Sequence, residues 1–308
     1  MPESGGTPEG TAAASEPRLV VFGDVIDDVV VVPAAPIRPD TDTVSTIRFL
    51  PGGSAANTAA WLGAAGASVD FVGVVGAEDI PRHGALLARY GVRAHLAAHP
   101  TLPTGTIVVI VDGEQRSMLT ERGANADLDP DAVTDALLGG AAALHLTGHS
   151  LAGRTSPRHL RTLVSRARVA GLEVSVAPGS AGHLADVGVE VFLTAFEGAT
   201  ILLASLEEGR VLTGETEPEA VLAALARHAE TVALTLGSGG AMVAGARGAA
   251  TVTAEPVESV DPTGAGDAFA AGFLAAWLRG ADAAAAARAA VALAARSVEH
   301  AGGRPPLP

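Results

Sequence analysis

The chain has 308 residues, 34 of them acidic and 20 basic, for a formal charge of −14; 48% are hydrophobic but only 3% aromatic. That negative balance disfavours broad contact with nucleic-acid phosphates or an anionic membrane, and the absence of cysteine removes disulfides, thiolate nucleophiles and zinc–thiolate sites. Every basic residue is an arginine, so chemistry that needs a lysine amine is excluded too: the phosphate-binding P-loop, pyridoxal catalysis and the Schiff-base aldolases.

Residues 1–16 are rich in Pro, Gly, Ser, Thr and Glu, with neither a basic start nor an apolar core. They read as a disordered tail, not as a signal peptide. A strand is expected at 18–22, followed by two β-branched runs at 29–32 and 44–49. Gly52-Gly53 leads into a helix at 54–65, then a strand at 69–75 and a helix at 82–90 stopped by Gly91. Runs at 105–111 and 115–120 flank Asp112-Gly113, a strong hairpin turn. Strands at 143–146, 173–177 and 232–236 alternate with helices at 157–170 and 218–228. A strand-like stretch at 250–260 precedes an apolar helix at 268–278 closed by Gly280.

Short strands alternating with longer helices point to an α/β fold, with a doubly wound, mostly parallel sheet flanked by helices. The antiparallel runs break that rhythm and are expected to form a small inserted β lid from segments of about 29–50 and 94–124; ordinary edge strands are the alternative. Arginines 154, 158, 161, 166 and 168 read as a solvated helix face. No run of eighteen apolar residues occurs, the segment 281–298 being interrupted by Asp282, Arg288 and Arg296, so a soluble, cytoplasmic protein is expected.

The chemistry concentrates in Asp261-Pro262-Thr263-Gly264-Ala265-Gly266-Asp267. Placed between a strand and a helix, Gly264, Ala265 and Gly266 can offer free N–H groups and a helix dipole to an anion. Asp267 then falls in the first helical turn, where a carboxylate can take a proton from a hydroxyl while the amides hold the group it attacks. Two other readings stay open for this run: an acid that merely complements the dipole, or part of a dinucleotide fingerprint, although Phe269 stands at the third glycine position. The pairs His95/His99 and His145/His149 lack a helical face or a nearby third ligand, which disfavours a metal there.

Asp261–Phe269 resembles the C-terminal signature of the ribokinase-like (phosphofructokinase B) carbohydrate kinases. Pro51-Gly52-Gly53-Ser54-Ala55-Ala56-Asn57-Thr58-Ala59 with Gly73-Val74-Val75-Gly76 resembles their N-terminal signature. Gly23 with Asp28, and the loop Thr235-Leu236-Gly237-Ser238-Gly239-Gly240, are similar as well, and the matches extend from about 18 to 304. The resemblance implies one kinase domain over 17–308, using ATP and Mg2+. It implies Asp267 as base, Gly264, Ala265 and Gly266 as anion hole, and Asp28, Gly52, Gly53 and Asn57 as the cradle for the acceptor's hydroxyls. Thr235, Gly237 and Gly240 would lie on the nucleotide side. Glu208 would orient water around magnesium, and Asp261 would help hold a monovalent cation, K+ in the members it activates.

Two positions depart from the pattern: Ser205 stands where the family has asparagine, and Ala177 where it often has aspartate or asparagine. Three functions follow as alternatives: a kinase acting on a hydroxyl, expected to be primary, of a small sugar; a nucleoside kinase; or a binding regulator with weakened turnover. Few aromatics in the lid segments lean towards a sugar, since bases stack on rings. Exposed lid edges suggest a homodimer.

Overall fold

A computed structural model of the protein describes residues 16–112, 115–151 and 153–306. The described strands are β1 (Arg18–Phe22), β2 (Ile26–Pro33), β3 (Ser45–Gly52), β4 (Ser68–Gly76), β5 (Val92–His99), β6 (Gly105–Asp112), β7 (Gln115–Glu121), β8 (Ala143–Thr147), β9 (Glu173–Ala177), β10 (Ile201–Ser205), β11 (Thr231–Thr235), β12 (Ala241–Gly245) and β13 (Gly248–Val252). They pair into a nine-stranded sheet of order β13-β12-β11-β10-β9-β8-β1-β4-β5 and a four-stranded sheet of order β3-β2-β6-β7. The large sheet is parallel from β11 to β5, with β12 and β13 added antiparallel.

The apolar runs behave as strands buried on both faces. In β1, Leu19 and Val21 pack with the helices Ser54–Ala64, Ala265–Leu278 and Ala283–Val298, whereas Val20 and Phe22 pack with Pro157–Val169 and Pro218–Leu225 on the other side. Helices on both faces make the sheet doubly wound. Alanine dominates the first layer because its two long helices pack closely. A Cβ on Gly272 would meet Ala289 O and Ala290 Cα at 2.8 Å. The arginines of the helix Pro157–Val169 sit on its solvated side, in ion pairs such as Arg166–Asp135 and Arg161–Glu197.

Several expectations need correction. The run from 94 does not join the small sheet: β5 returns from the helix Ile80–Ala88 and pairs in parallel with β4, as a β-α-β crossover requires. Only β6 and β7 of the 94–124 segment join β2 and β3. The stretch expected to be strand over 250–260 ends at Val252; beyond it β13 has no outer neighbour, and Pro256 removes a ladder donor. Strands β10 and β12 were not foreseen. In the small sheet Asp112 pairs with Gln115, while the Gly113 turn itself lies outside the described residues. So does the expected tail, apart from Glu16, whose carboxylate accepts from Arg279 Nε at 3.0 Å. Among the described residues no helix is long and apolar enough to cross a membrane.

Candidate active site

The carboxyl ends of the parallel strands carry the polar residues, as expected for an open α/β sheet. Beyond β1, Asp24 turns its carboxylate onto the helix Ser54–Ala64, accepting from Ser54 N–H at 2.9 Å and Ala55 N–H at 3.1 Å. The helix needs this outside cap because its own N-cap is Gly53, which has no side chain to offer. Gly53 is itself required: its φ is +91°, and a Cβ would strike Asp24 O at 2.6 Å. Asp24 was not among the residues singled out from sequence. A helix opening on two glycines, with no Ser, Thr, Asp or Asn before it, is the signal that an acceptor must come from elsewhere.

On β2, Asp28 is buried with its carboxylate against Gly52; a Cβ on that glycine would lie 2.1 Å from Asp28 Oδ2. Burial raises the Asp28 pKa to about 7, Asp24 adds to the rise, and Arg304 offsets part of it.

Asp267 lies in the first turn of the helix Ala265–Leu278, where that helix meets the start of Ser54–Ala64. Ser54 Oγ donates to Asp267 Oδ1 at 2.6 Å, and Asn57 Nδ2 donates to Oδ2 at 3.0 Å. Asp267 is half-buried as a residue, and the depth of its carboxylate raises the pKa to about 7, the two hydrogen bonds opposing and Asp24 and Asp28 reinforcing the rise. A carboxylate poised near neutrality is suited to taking a proton at physiological pH. Ser54 stood inside the quoted motif, but its contact with the acid is visible only in three dimensions.

The helix N-terminus differs from expectation in one respect. Ala265 donates its N–H back to Pro262 O at 3.3 Å, while the N–H groups of Gly264 and Gly266 have no acceptor among the described residues. Gly264 takes a left-handed φ of +78° against Gly303, and Gly266 faces open space. Gly266 and Ala265 line a cavity of about 460 Å3 together with Thr235, Gly237 and Gly240 from the loop after β11; Phe269 and Val291 supply apolar lining. The structure thus brings the residues expected on the nucleotide side together with two of the three anion-hole positions.

Asp261 accepts from Thr263 N–H and from Gly302 N–H, both at 2.9 Å, and so ties the glycine turn to the C-terminal segment. Glu208 and Ser205 form a reciprocal cap on the helix Leu206–Thr213. Glu208 Oε2 accepts from Ser205 N–H at 2.7 Å, and Ser205 Oγ from Glu208 N–H at 3.2 Å. The serine that departs from the family pattern is therefore a helix cap, a role not expected from the sequence although the Ser-x-x-Glu spacing could have signalled it. Burial raises the Glu208 pKa. Glu208 lies one turn beyond Ser205, which ends β10 in register with Thr235 of the cavity lining. Its oxygen donors fit magnesium, which keeps most of its water ligands.

The histidine pairs are drawn apart: His95 meets Asp70 at 2.8 Å, His99 meets Asp127 at 2.9 Å, and His145 is buried against Ser175 at 3.1 Å. Among the described residues no group of three or more His, Asp or Glu side chains is placed to hold a metal ion.

A doubly wound sheet with a glycine turn at a helix N-terminus and a small companion sheet defines the ribokinase-like class of fold. The sequence profile of the pfkB family of carbohydrate kinases matches residues 16–308, and the chain belongs to that family. It is 31% identical over 256 residues to the ATP-dependent ribose-1-phosphate kinase of Halopiger xanaduensis, covering 79% of this chain and 80% of that one. It is 28% identical over 273 residues to the 2-dehydro-3-deoxygluconokinase of Thermoproteus tenax, covering 86% and 83%. Among solved structures, a putative ribokinase II from E. coli in complex with ATP and Mg2+ superposes with a TM-score of 0.81 at 23% identity, over 94% of each chain. The protein is accordingly an ATP-dependent sugar kinase, a phosphotransferase to an alcohol group.

Proposed function

We propose that the chain phosphorylates a primary hydroxyl of a small carbohydrate, with Asp267 as the base. The observation that carries this reading is the Asp267 carboxylate. It is held by Ser54 and Asn57, has a pKa of about 7, and adjoins Gly266, which lines the cavity. The triphosphate lies in that cavity along Thr235, Gly237 and Gly240, with its terminal phosphoryl against the Gly264 and Gly266 amides. Asp28, Gly52, Gly53 and Asn57 hold the acceptor. Asp267 takes the hydroxyl proton, the oxygen attacks the terminal phosphorus, and the bond to the bridging oxygen breaks as ADP leaves. The helix-terminal amides offset the charge that develops, with no lysine to share it. Magnesium, when bound, neutralises phosphate charge, and Glu208 would orient its waters. Asp261 would support a K+ ion near the glycine turn.

The small sheet, β2 and β3 with β6 and β7, acts as a lid over the acceptor within a single kinase domain spanning 17–308. Support comes from β2 and β3 themselves, which carry Asp28 and Gly52. A free sugar fits better than a nucleoside because Phe49, the one aromatic among the described residues of that sheet, is 79% exposed. The sheet's free edges, β3 and β7, favour pairing with a second copy.

Phosphoryl transfer from ATP with Mg2+ should be screened over free sugars, sugar acids, sugar phosphates and nucleosides, with K+ or Na+. Those acceptors include the kinds named in the relatives from H. xanaduensis and T. tenax. A sugar-type acceptor should turn over fastest. Preference for a nucleoside would overturn the acceptor assignment, and full turnover by Asp267→Asn would overturn the base.

A further inference from the structure

The proposed reaction leaves one buried cation without a task. Arg304 is only 6% exposed, and no periodicity or motif in the sequence marks it. It arrives from the far end of the chain because Gly303 O accepts from Trp61 Nε1 at 2.9 Å and Pro305 O accepts from Tyr90 Oη at 2.7 Å. Arg304 Nη2 donates to Gly52 O at 3.0 Å, and Nε approaches Asn57 Oδ1 at 3.4 Å. Nη1 has no hydrogen-bond partner among the described residues. Burial lowers its pKa to about 10, against the pull of Tyr90, Asp28 and Asp27, so the guanidinium remains charged at neutral pH.

A carboxamide has two unlike ends, and guanidinium carries donors only. Asn57 Oδ1 faces Arg304, and its Nδ2 faces Asp267, which when ionised can only accept. Turning the amide over would set NH2 against guanidinium and a carbonyl against a carboxylate. Both neighbours therefore select the same orientation. The arginine also holds the carbonyl of Gly52, the residue beneath Asp28.

We infer that Arg304 is a positioning residue for phosphoryl transfer. It locks the Asn57 carboxamide with its N–H directed at Asp267, and it anchors the Gly52 carbonyl beneath the acceptor. This rests on the assignment of Asp267 as the base. The charged or titratable groups around Asp267 are Asp24, from the loop after β1, and Asp28, on β2. Those around Arg304 are Asp27 and Asp28 on β2, Arg82 on the helix Ile80–Ala88, and Tyr90 just beyond it. Losing Arg304 frees the amide to turn, which deprives ionised Asp267 of a donor and raises its pKa. The acid limb of the rate profile then moves to higher pH.

The test is the pH dependence of kcat/KM for the best acceptor, with ATP and Mg2+ saturating, for the parent and for Arg304→Lys, Arg304→Gln and Arg304→Met. Arg304→Met should move the acid limb up by about one pH unit, lose about fivefold at pH 7 and about tenfold well below it, and recover in alkali. Arg304→Lys keeps a donor-only cation and should hold the parental limb. Arg304→Gln, a gentler change that answers the question if the methionine variant fails to fold, should fall between them. A uniform loss at every pH with the limb unmoved would reduce the arginine to a packing role and overturn the inference. Asp267→Asn separates the two claims. If it keeps turnover, the base is misassigned; if it is inactive while the Arg304 variants keep the parental limb, only the Arg304 inference fails.

Discussion

Replacing Gly52 with alanine puts a methyl group where the Asp28 carboxylate already is. The backbone does not object, because the φ of Gly52 lies outside the left-handed region. The conflict is steric: the new Cβ would lie 2.1 Å from Asp28 Oδ2, 2.5 Å from Cγ and 2.6 Å from Oδ1. Ordinary contact begins near 3.4 Å, so the carboxylate must withdraw by roughly 1 Å, at a cost in the range of about 1–3 kcal/mol typical of overpacking. A displaced Asp28 would no longer meet the acceptor it is proposed to hold. Losing one charged hydrogen bond, worth about 1.5–3 kcal/mol, lowers kcat/KM for the acceptor by roughly 10- to 150-fold. The KM for ATP should hardly change, because the cavity proposed for the nucleotide is lined by other residues. Initial rates with each substrate varied in turn measure this, and thermal melts report the packing cost. In an Asp28→Ala background the added methyl has nothing to strike, so Gly52→Ala should then cost little, and the double-mutant cycle should show strong coupling. An acceptor KM within twofold of the parent for Gly52→Ala, alongside a large effect of Asp28→Ala, would refute the argument.

Asp267→Asn should lower kcat by about 10^2–10^4-fold with acceptor affinity kept. The parent's kcat/KM should show an acid limb near pH 7, since the group must be ionised to act. Stability should move the other way. The folded pKa of about 7 lies above the ordinary 3.8, so the stabilisation it confers is present in acid and lost as pH rises through about 7. Asparagine cannot ionise, and melting in mildly alkaline buffer should find the variant more stable than the parent; equal melting would count against a buried, destabilised carboxylate. Glu208→Ala removes half of the reciprocal cap and should lower stability by about 1 kcal/mol while raising the Mg2+ concentration needed for half-maximal rate. An unchanged Mg2+ requirement would leave Glu208 as a cap only. Asp261→Ala strips an acceptor from Thr263 and Gly302 and should destabilise by about 1–3 kcal/mol for each N–H left unpaired. It should also abolish any K+ stimulation measured against Na+ at equal ionic strength, and stimulation that survives would remove the ion from Asp261.

The sequence by itself determined the elements whose cause is local. β1 falls at Arg18–Phe22 and β9 at Glu173–Ala177, as their apolar runs indicate, because a parallel strand buried on both faces must be apolar throughout. Gly264 to Asp267 were readable as the opening of a helix, because free amides, a dipole and a first-turn acid are properties of one short segment. The Ser205–Glu208 cap is equally local, although it was not read from the sequence. The tertiary structure alone decided what depends on partners distant in the chain. Whether 92–99 joined the large or the small sheet rested on which neighbour offered a ladder, and β4 did. Asp24 acts as a cap across thirty residues, and Arg304 reaches Asn57 across 247. No spacing rule connects such pairs. They meet because the doubly wound sheet sets two helix starts side by side and the C-terminal segment returns over them. Burial there moves the pKa values of Asp28 and Asp267 to about 7, a poise near neutrality that no local pattern in the sequence carries.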